Sequence, residues 1–411
     1  MESVRVSRQL VPSTSQWPVH TASPDFGAQG LSAQAGLRCE TLRKPGIRMG
    51  SSRVVHVGPS VTAHGGIARM IAALLNSDLA KHYELEAVST SAGRGGVSRC
   101  TAFPAALARL LWVFALRRPA AVHVHTASWN SFPRKRIVVA LARSFRIPVI
   151  LQVHGGGFLE YIRERPGRAL AVRRALETSC RVIVLSEALR APLEAMSVGA
   201  KVQVIPNAVE VPSLPTRGMD SARVVFAGRP VADKGIPELL RASRGIAARI
   251  PSFRLVIAGD DMGGALAREV RDLGLETSVE LCGWLSHDAL DRVYAGSSVF
   301  VLPSHVEAMP VALLEAMSHG LACVVTPVGA VPQIIADGEN GVVVPVGDAH
   351  ALESSIERLL ADPHLRRRLG SSARETIQER YSMLTMISQI REVYAACGIG
   401  PPSAENSSCR P

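Results

Sequence analysis

From residue 53 onward, short apolar runs alternate with longer stretches of helical period. The first series is RVVHVG, GGIARMIAALLNSDLAK, LEAVST, FPAALARLLWVFALRR, AVHVHT, RKRIVVALARSF, PVILQVHGGG, VIVLSEAL and VQVIPNAVE. The short runs are rich in Val, Ile and Leu with little polar alternation, which predicts strands covered on both faces. The helical stretches between them predict crossovers, and together they specify a parallel sheet. A second series starts near residue 221 with RVVFAGRP, a helix from Pro237 and FRLVIAGD, then a helix near 263–273, SVELCGWL and SSVFVLPS. It continues through a helix near 310–319, ACVVTPVG and GVVVPVG. The Pro/Gly/Ser-rich segment VPSLPTRGMDSA separates the two series and reads as a linker.

The pattern therefore predicts an α/β chain of two doubly wound, Rossmann-like parallel-sheet domains facing a cleft. They are an N-terminal domain over 51–211 and a C-terminal domain over 212–378, and the cleft lies at the carboxyl ends of their strands. A last helix over 379–398 is expected to cross back to the first domain. Residues 1–50 hold neither period for long and read as an irregular extension; 399–411 read as a disordered tail. Met49 sits directly before the first strand, which makes it a candidate start codon.

Composition narrows the function classes. The 411 residues are 47% hydrophobic and 20% charged, a globular composition with room for two domains. The longest apolar stretch, Phe103 to Leu116, contains Arg109 and is too short to cross a bilayer. No secretory h-region is visible in residues 1–48. Seven scattered cysteines lack CxxC spacing, so neither a disulfide framework nor a cysteine metal site is expected, and a reduced cytoplasmic compartment fits. The net charge of +11 admits nucleic acid, an anionic lipid surface or phosphate-bearing substrates.

Four segments could carry chemistry. In SHVEAMPVALLEAMSHG, Glu307 and Glu315 would stand roughly 12 Å apart if the segment were helical throughout. That is about the span from a sugar ring to the ribose of a nucleoside diphosphate sugar. Pro310 suits a first helical turn, whose free N–H groups near Val311 and Ala312 would face an anion. Taken alone, the two carboxylates are equally well read as ordinary groups on a surface helix. In AGRPVADKG, Arg229 and Lys234 would project from a strand-to-helix turn toward the same cleft, where they could neutralise a leaving diphosphate. Taken alone, that segment is a solvated basic loop. Gly65 and Gly66, between the first strand and helix, would let backbone approach a phosphate or sugar. His154 ends an apolar strand before three glycines, at the carboxyl edge of the first sheet, where it could donate a hydrogen bond to a sugar. His123 and His125 read instead as strand-end residues satisfied by backbone. No Asp-x-Asp clamp, HExxH, P-loop or GxSxG occurs, and adjacent Asp260 and Asp261 suit turn capping.

These segments, in this order, resemble the family 4 retaining glycosyltransferases of the GT-B fold over roughly residues 53–397. EAMPVALLE matches the family's Glu, seven residues, Glu pattern. AGRPVADKG resembles its diphosphate loop, VIVLSEAL and VIPNAVE the end of its first domain, and HGGI its N-terminal glycine loop. The resemblance implies that Glu307 contacts the donor sugar hydroxyls and Glu315 the ribose, that Arg229 and Lys234 hold the diphosphate, and that His154 lies near the sugar. It implies further that backbone N–H groups at Met309, Val311 and the glycine loop complete the cradle and that the base lies near Trp284 and Leu285. Ala308 stands where the family usually has Gly, and Ala330 and Gln333 where Gly and Glu are common. Transfer of a hexosyl group from a UDP- or GDP-sugar with retention is implied, with no metal and no other cofactor.

The basic-apolar helices of the first half, which would bind the acceptor, suit a glycan or polyprenyl-diphosphate-linked acceptor in polysaccharide or glycolipid assembly. They equally suit helices that cover the sheet with solvated Arg. The first reading implies a peripheral position on the anionic inner face of the plasma membrane. Nucleic acid is not expected, since aromatics are 4% and no base-stacking pattern occurs. The alternatives are a non-catalytic GT-B partner subunit and another GT-B enzyme such as a sugar-nucleotide epimerase. A dinucleotide oxidoreductase lacks its glycine fingerprint.

Overall fold

The computed structural model describes residues 52–63, 65–91, 99–155, 157–197, 199–213, 222–261 and 263–400. The extension expected over 1–50, most of the linker and all but two residues of the expected tail lie outside them.

Two six-stranded sheets form, and every named strand pairing is parallel. The first holds β1 (Arg53–Gly58), β2 (Glu84–Ser89), β3 (Ala121–Thr126), β4 (Val149–Val153), β5 (Arg181–Val184) and β6 (Val202–Val204), in the order β2-β1-β3-β4-β5-β6. The second holds β7 (Arg223–Ala227), β8 (Arg254–Ala258), β9 (Val279–Gly283), β10 (Val299–Leu302), β11 (Ala322–Val325) and β12 (Val342–Val343), in the order β12-β11-β10-β7-β8-β9. The unbroken apolar runs explain the layout. β3, β4, β10 and β11 are buried at every position, whereas the edge strands β2 and β9 keep exposed or half-buried residues. The strand order reverses between β1 and β3 in one sheet and between β7 and β10 in the other, and ligands of open α/β sheets collect at such points.

The first sheet has a core on each face. Val55, Val57, Val122, Val124 and Leu151 point to one side. Val54, Ala121, Ile150 and Ile183 point to the other, which is covered by Met386, Ile390, Val393 and Tyr394 of the helix Met383–Ala396. That helix follows the Pro363–Arg380 helix, which contributes Leu369, Ala373 and Ile377 to the core of the second sheet. Between the two helices the chain crosses beside Val209, whose N–H donates to the Tyr381 carbonyl at 3.0 Å and whose carbonyl accepts from Met383 N–H at 3.0 Å. Helix starts follow local chemistry: Asp362 and Ser382 each accept a first-turn N–H, and Pro363 stands in the first turn, where no bond is lost.

The Glu307–Glu315 segment is not helical throughout. The helix begins at Val311 after Pro310 in extended backbone, so Glu307 stands on the preceding loop and Glu315 inside the helix.

Candidate functional site

The second domain brings Lys234 and Glu307 together at the β7/β10 reversal. The loop after β7 makes a short 3₁₀ turn, Ala232–Lys234, and ends at Gly235 with φ +71°. A Cβ there would sit 2.0 Å from the Pro303 carbonyl oxygen, so only glycine lets this turn press against the loop after β10. Gly329 acts likewise from the other side: φ is +59°, and a Cβ would lie 2.1 Å from the Glu307 carbonyl oxygen. Clamped between them, Glu307 accepts from Lys234 Nζ at 2.6 Å and from Ser304 Oγ at 2.9 Å. Lys234 Nζ also reaches the Val306 carbonyl at 3.3 Å. Arg229 is exposed and has no ion pair among the described residues. No side chain caps the Val311 helix, which leaves its first-turn N–H groups open to an anion.

Glu315 is buried, and its partners come from both domains. Arg69, on the Gly66–Asn76 helix of the first domain, grips it with both terminal nitrogens, at 2.7 Å to Oε1 and 3.2 Å to Oε2. Tyr294 O–H donates to Oε2 at 3.2 Å. His287 Nδ1 lies 3.0 Å from the same guanidinium. Burial raises the Glu315 pKa against the pull of Arg69, and burial together with Glu315 pushes the Tyr294 phenol well up. Arg69 and Tyr294 were not anticipated. Arg69 had a sequence signal: it is the one charged residue in GIARMIAALLN. Tyr294 had none, being one more large residue in an amphipathic helix.

Met309 is buried and joins the domains. Its carbonyl accepts from Asn207 Nδ2 at 3.1 Å, from the VIPNAVE segment. Gly65 precedes the Gly66–Asn76 helix, and a Cβ on Gly66 would touch Val311 Cγ2 at 3.5 Å. The glycine turn of one domain thus faces the helix start of the other. Trp284 is 45% exposed and Leu285 is partly buried, in the turn between β9 and the His287–Ala295 helix that carries Tyr294. Asp261 accepts from Leu266 and Ala267 N–H at 3.1 Å each, the capping expected of it.

His154 follows β4, and its N–H pairs with the Thr126 carbonyl at 2.8 Å. Its ring is buried, with the pKa pushed down to about 3 by desolvation, and Nε2 lies 3.0 Å from His125 Nδ1. The expectation that backbone satisfies His123 and His125 is corrected here. The register aligns His56 with His123 and His125 with Gln152, which puts these side chains on one sheet face, where they bond one another rather than the main chain. Period-2 spacing in AVHVHT makes the pairing legible only once β1 is known to lie beside β3.

Two family models match the chain. One, described as Glycosyl transferases group 1, covers residues 215–376, and the other, Glycosyl transferase 4-like domain, covers 39–208. Among characterised proteins, the chain is 26% identical to alpha-D-kanosaminyltransferase of Streptomyces kanamyceticus, over 71% of this chain and 82% of the relative. It is 32% identical to sulfoquinovosyl transferase of Arabidopsis thaliana, over 42% of this chain and 33% of the plant protein. Among solved structures, sucrose-phosphate synthase from Thermosynechococcus elongatus superposes with a TM-score of 0.68 at 21% identity, over 84% of this chain and 98% of that one. Anabaena HepE in complex with UDP superposes at 0.64 and 17% identity, over 84% and 100%.

Proposed function

The chain belongs to the group 1 glycosyltransferases of GT-B architecture, and from that premise we propose that it moves a hexosyl group from a UDP- or GDP-sugar, with retention and without a metal, to a glycan or lipid-linked acceptor. The observation that carries this reading is the clamped Lys234–Glu307 pair beside an uncapped helix start, with Glu315 in the second turn of that helix. Carboxylates accept from vicinal hydroxyls, so Glu307 holds the sugar and Glu315 the ribose. Between them the diphosphate meets Arg229, Lys234 and the N–H groups at Val311 and Ala312, which supply the positive potential that a metal gives elsewhere. Met309, held by Asn207, fixes the loop that carries Glu307, and Gly65 and Gly66 close the cradle from the opposite domain. The base lies against the Trp284–Leu285 turn. His154 meets the sugar from the first domain.

Lys234 already neutralises Glu307, and Arg69 holds Glu315, so neither carboxylate is set up as a nucleophile for C1. The reaction then proceeds on one face. The bond from C1 to the diphosphate oxygen breaks as the acceptor oxygen bonds C1, and the acceptor proton passes to the leaving diphosphate. Bound donor takes hydroxyl contacts from Glu315 that Arg69 otherwise occupies, which ties donor entry to the contact between domains.

The acceptor side carries Leu111, Trp112 and Leu116 exposed beside Arg109, Arg117 and Arg118. That chemistry suits peripheral contact with an anionic leaflet and a lipid-linked acceptor. No helix among the described residues is long and apolar enough to cross a membrane. Screening UDP- and GDP-sugars for binding and slow hydrolysis tests the donor assignment. One base and one sugar should stand out, and uniform indifference to all of them would overturn it.

A further inference from the structure

Arg69 covers the carboxylate that the ribose is to meet. Its Nη2 lies 2.7 Å from Glu315 Oε1 and its Nη1 3.2 Å from Oε2, while Tyr294 O–H donates to Oε2 at 3.2 Å. His287 Nδ1 lies 3.0 Å from the same Nη2. All three partners of the guanidinium belong to the second domain, although Arg69 stands on a helix of the first. The Glu315 side chain is 7% exposed and that of Arg69 38%, so what meets solvent here is the guanidinium, with the carboxylate behind it. A ribose diol and Arg69 therefore need the same two oxygens.

The position of Arg69 also bears on the diphosphate. It is the only charged residue of the Gly66–Asn76 helix, and the start of that helix faces the start of the Val311–Ser318 helix, where a Cβ on Gly66 would lie 3.5 Å from Val311 Cγ2. Along their helices, Arg69 stands about 4.5 Å and Glu315 about 6 Å behind that meeting point. The cations nearby are unevenly committed. Lys234 is held by Glu307 at 2.6 Å, and exposed Arg229 has no ion pair among the described residues. A diphosphate at the helix start brings its negative charge close to that of Glu315, and a guanidinium between the two offsets the repulsion.

We propose that Arg69 exchanges partners as the donor binds: the ribose diol takes Glu315, and the released guanidinium turns to the diphosphate, which makes Arg69 a phosphate-binding residue supplied by the first domain. The proposal rests on the reading of Glu315 as the ribose contact. The exchange conserves hydrogen bonds. Glu315 gives up two N–H donors and receives two O–H donors, and Tyr294 stays on Oε2, so the buried carboxylate is never left bare. Arg69 gives up one bidentate oxyanion and receives another that fits its planar fork as well. Selectivity follows. A nucleoside without phosphates must displace the guanidinium and offers it nothing, whereas a nucleoside diphosphate brings the new partner with it. The rival is a fixed clamp, in which Arg69 stays on Glu315 and only orients it.

The test is calorimetric titration of the full-length wild type and Arg69→Met at pH 8 with uridine and UDP, and with guanosine and GDP. For the base that binds, Arg69→Met should take the nucleoside more tightly, about tenfold if the guanidinium holds the carboxylate about nine-tenths of the time. The preference for the diphosphate over the nucleoside should fall at least about tenfold, as loss of one charge-assisted contact does. The matching 2′,3′-dideoxynucleoside should bind wild type and variant alike. A fixed clamp predicts the opposite sign, with the nucleoside weakened and the preference intact, and that result would overturn the exchange. A nucleoside gain with the preference intact would overturn the turn to phosphate while leaving the ribose reading standing. An equal gain for the dideoxynucleoside would strike the ribose reading itself, and the exchange with it. Should Arg69→Met not fold, the wild type decides: a crystal structure with UDP or GDP should place the guanidinium on a phosphate oxygen, and a guanidinium still on Glu315 beside bound ribose would overturn the proposal.

Discussion

The two domains bury polar chemistry at the same edge of the same kind of sheet in opposite ways. The second domain's carboxylates are answered with charge: half-buried Glu307 meets Lys234 at 2.6 Å, and buried Glu315 meets Arg69 of the first domain at 2.7 Å. The first domain buries His56, His123, His125 and His154 with no carboxylate beside them and answers each ring with another neutral group. A charged site holds its ligand by field strength and tolerates small movements. A neutral string is directional, so its contribution depends on the geometry of every member.

Acid should break this comparison hardest. Folded-state pKa values of about 4 for His56 and about 3 for His154 lie below the ordinary 6.5, and those of His123 and His125 are also lowered. The unfolded chain therefore binds more protons below pH 6.5. The stability of the first domain is full above that pH and falls as pH drops toward the folded values, by about 1.4 kcal/mol per pH unit for each ring that stays neutral. Urea unfolding at pH 7 and pH 5 should show a midpoint for the first domain that falls steeply, with the second domain less affected. Equal losses in both domains would erase the distinction drawn here.

A smaller effect should come from Arg69→Met. The variant leaves Glu315 buried against Tyr294 alone and raises its pKa further, since Arg69 is what holds it down. Breaking a fully buried pair costs about 3–5 kcal/mol. Arg69 is 38% exposed, so about 2 kcal/mol is expected. The deficit should be largest at neutral pH and shrink as Glu315 protonates through the carboxylate range. Thermal melts of variant and wild type at pH 7 and pH 5 read that difference, and a deficit independent of pH would mean that Arg69 acts by packing.

Much of this was legible in the chain. Unbroken runs such as RVVFA and VFVL gave away a parallel sheet because strands covered on both faces have no polar side to show. That Pro310 precedes a helix start was legible because proline loses no bond there, whereas the contact of Lys234 with Glu307 was not, since each segment taken alone reads as ordinary surface charge. Arg69 was less so: its partner lies 246 residues away, and no local pattern reports a contact across a cleft. The partners of His123 and His125 were not legible because their bonds depend on strand order. His56 faces His123 only because β1 lies beside β3, and Tyr394 joins them only because the last helix returns to the first sheet.

The central claim is that Glu307 and Glu315 grip the two ends of one nucleotide sugar. Calorimetric titration of wild type, Glu307→Gln and Glu315→Gln with the matching nucleotide sugar and with its bare nucleoside diphosphate tests it directly. Glu307→Gln should bind the bare nucleotide as the wild type does and lose the extra affinity for the sugar, about tenfold. Glu315→Gln should weaken both ligands alike. Undiminished preference for the sugar nucleotide in Glu307→Gln, together with near-normal turnover of Glu307→Ala, would contradict the account.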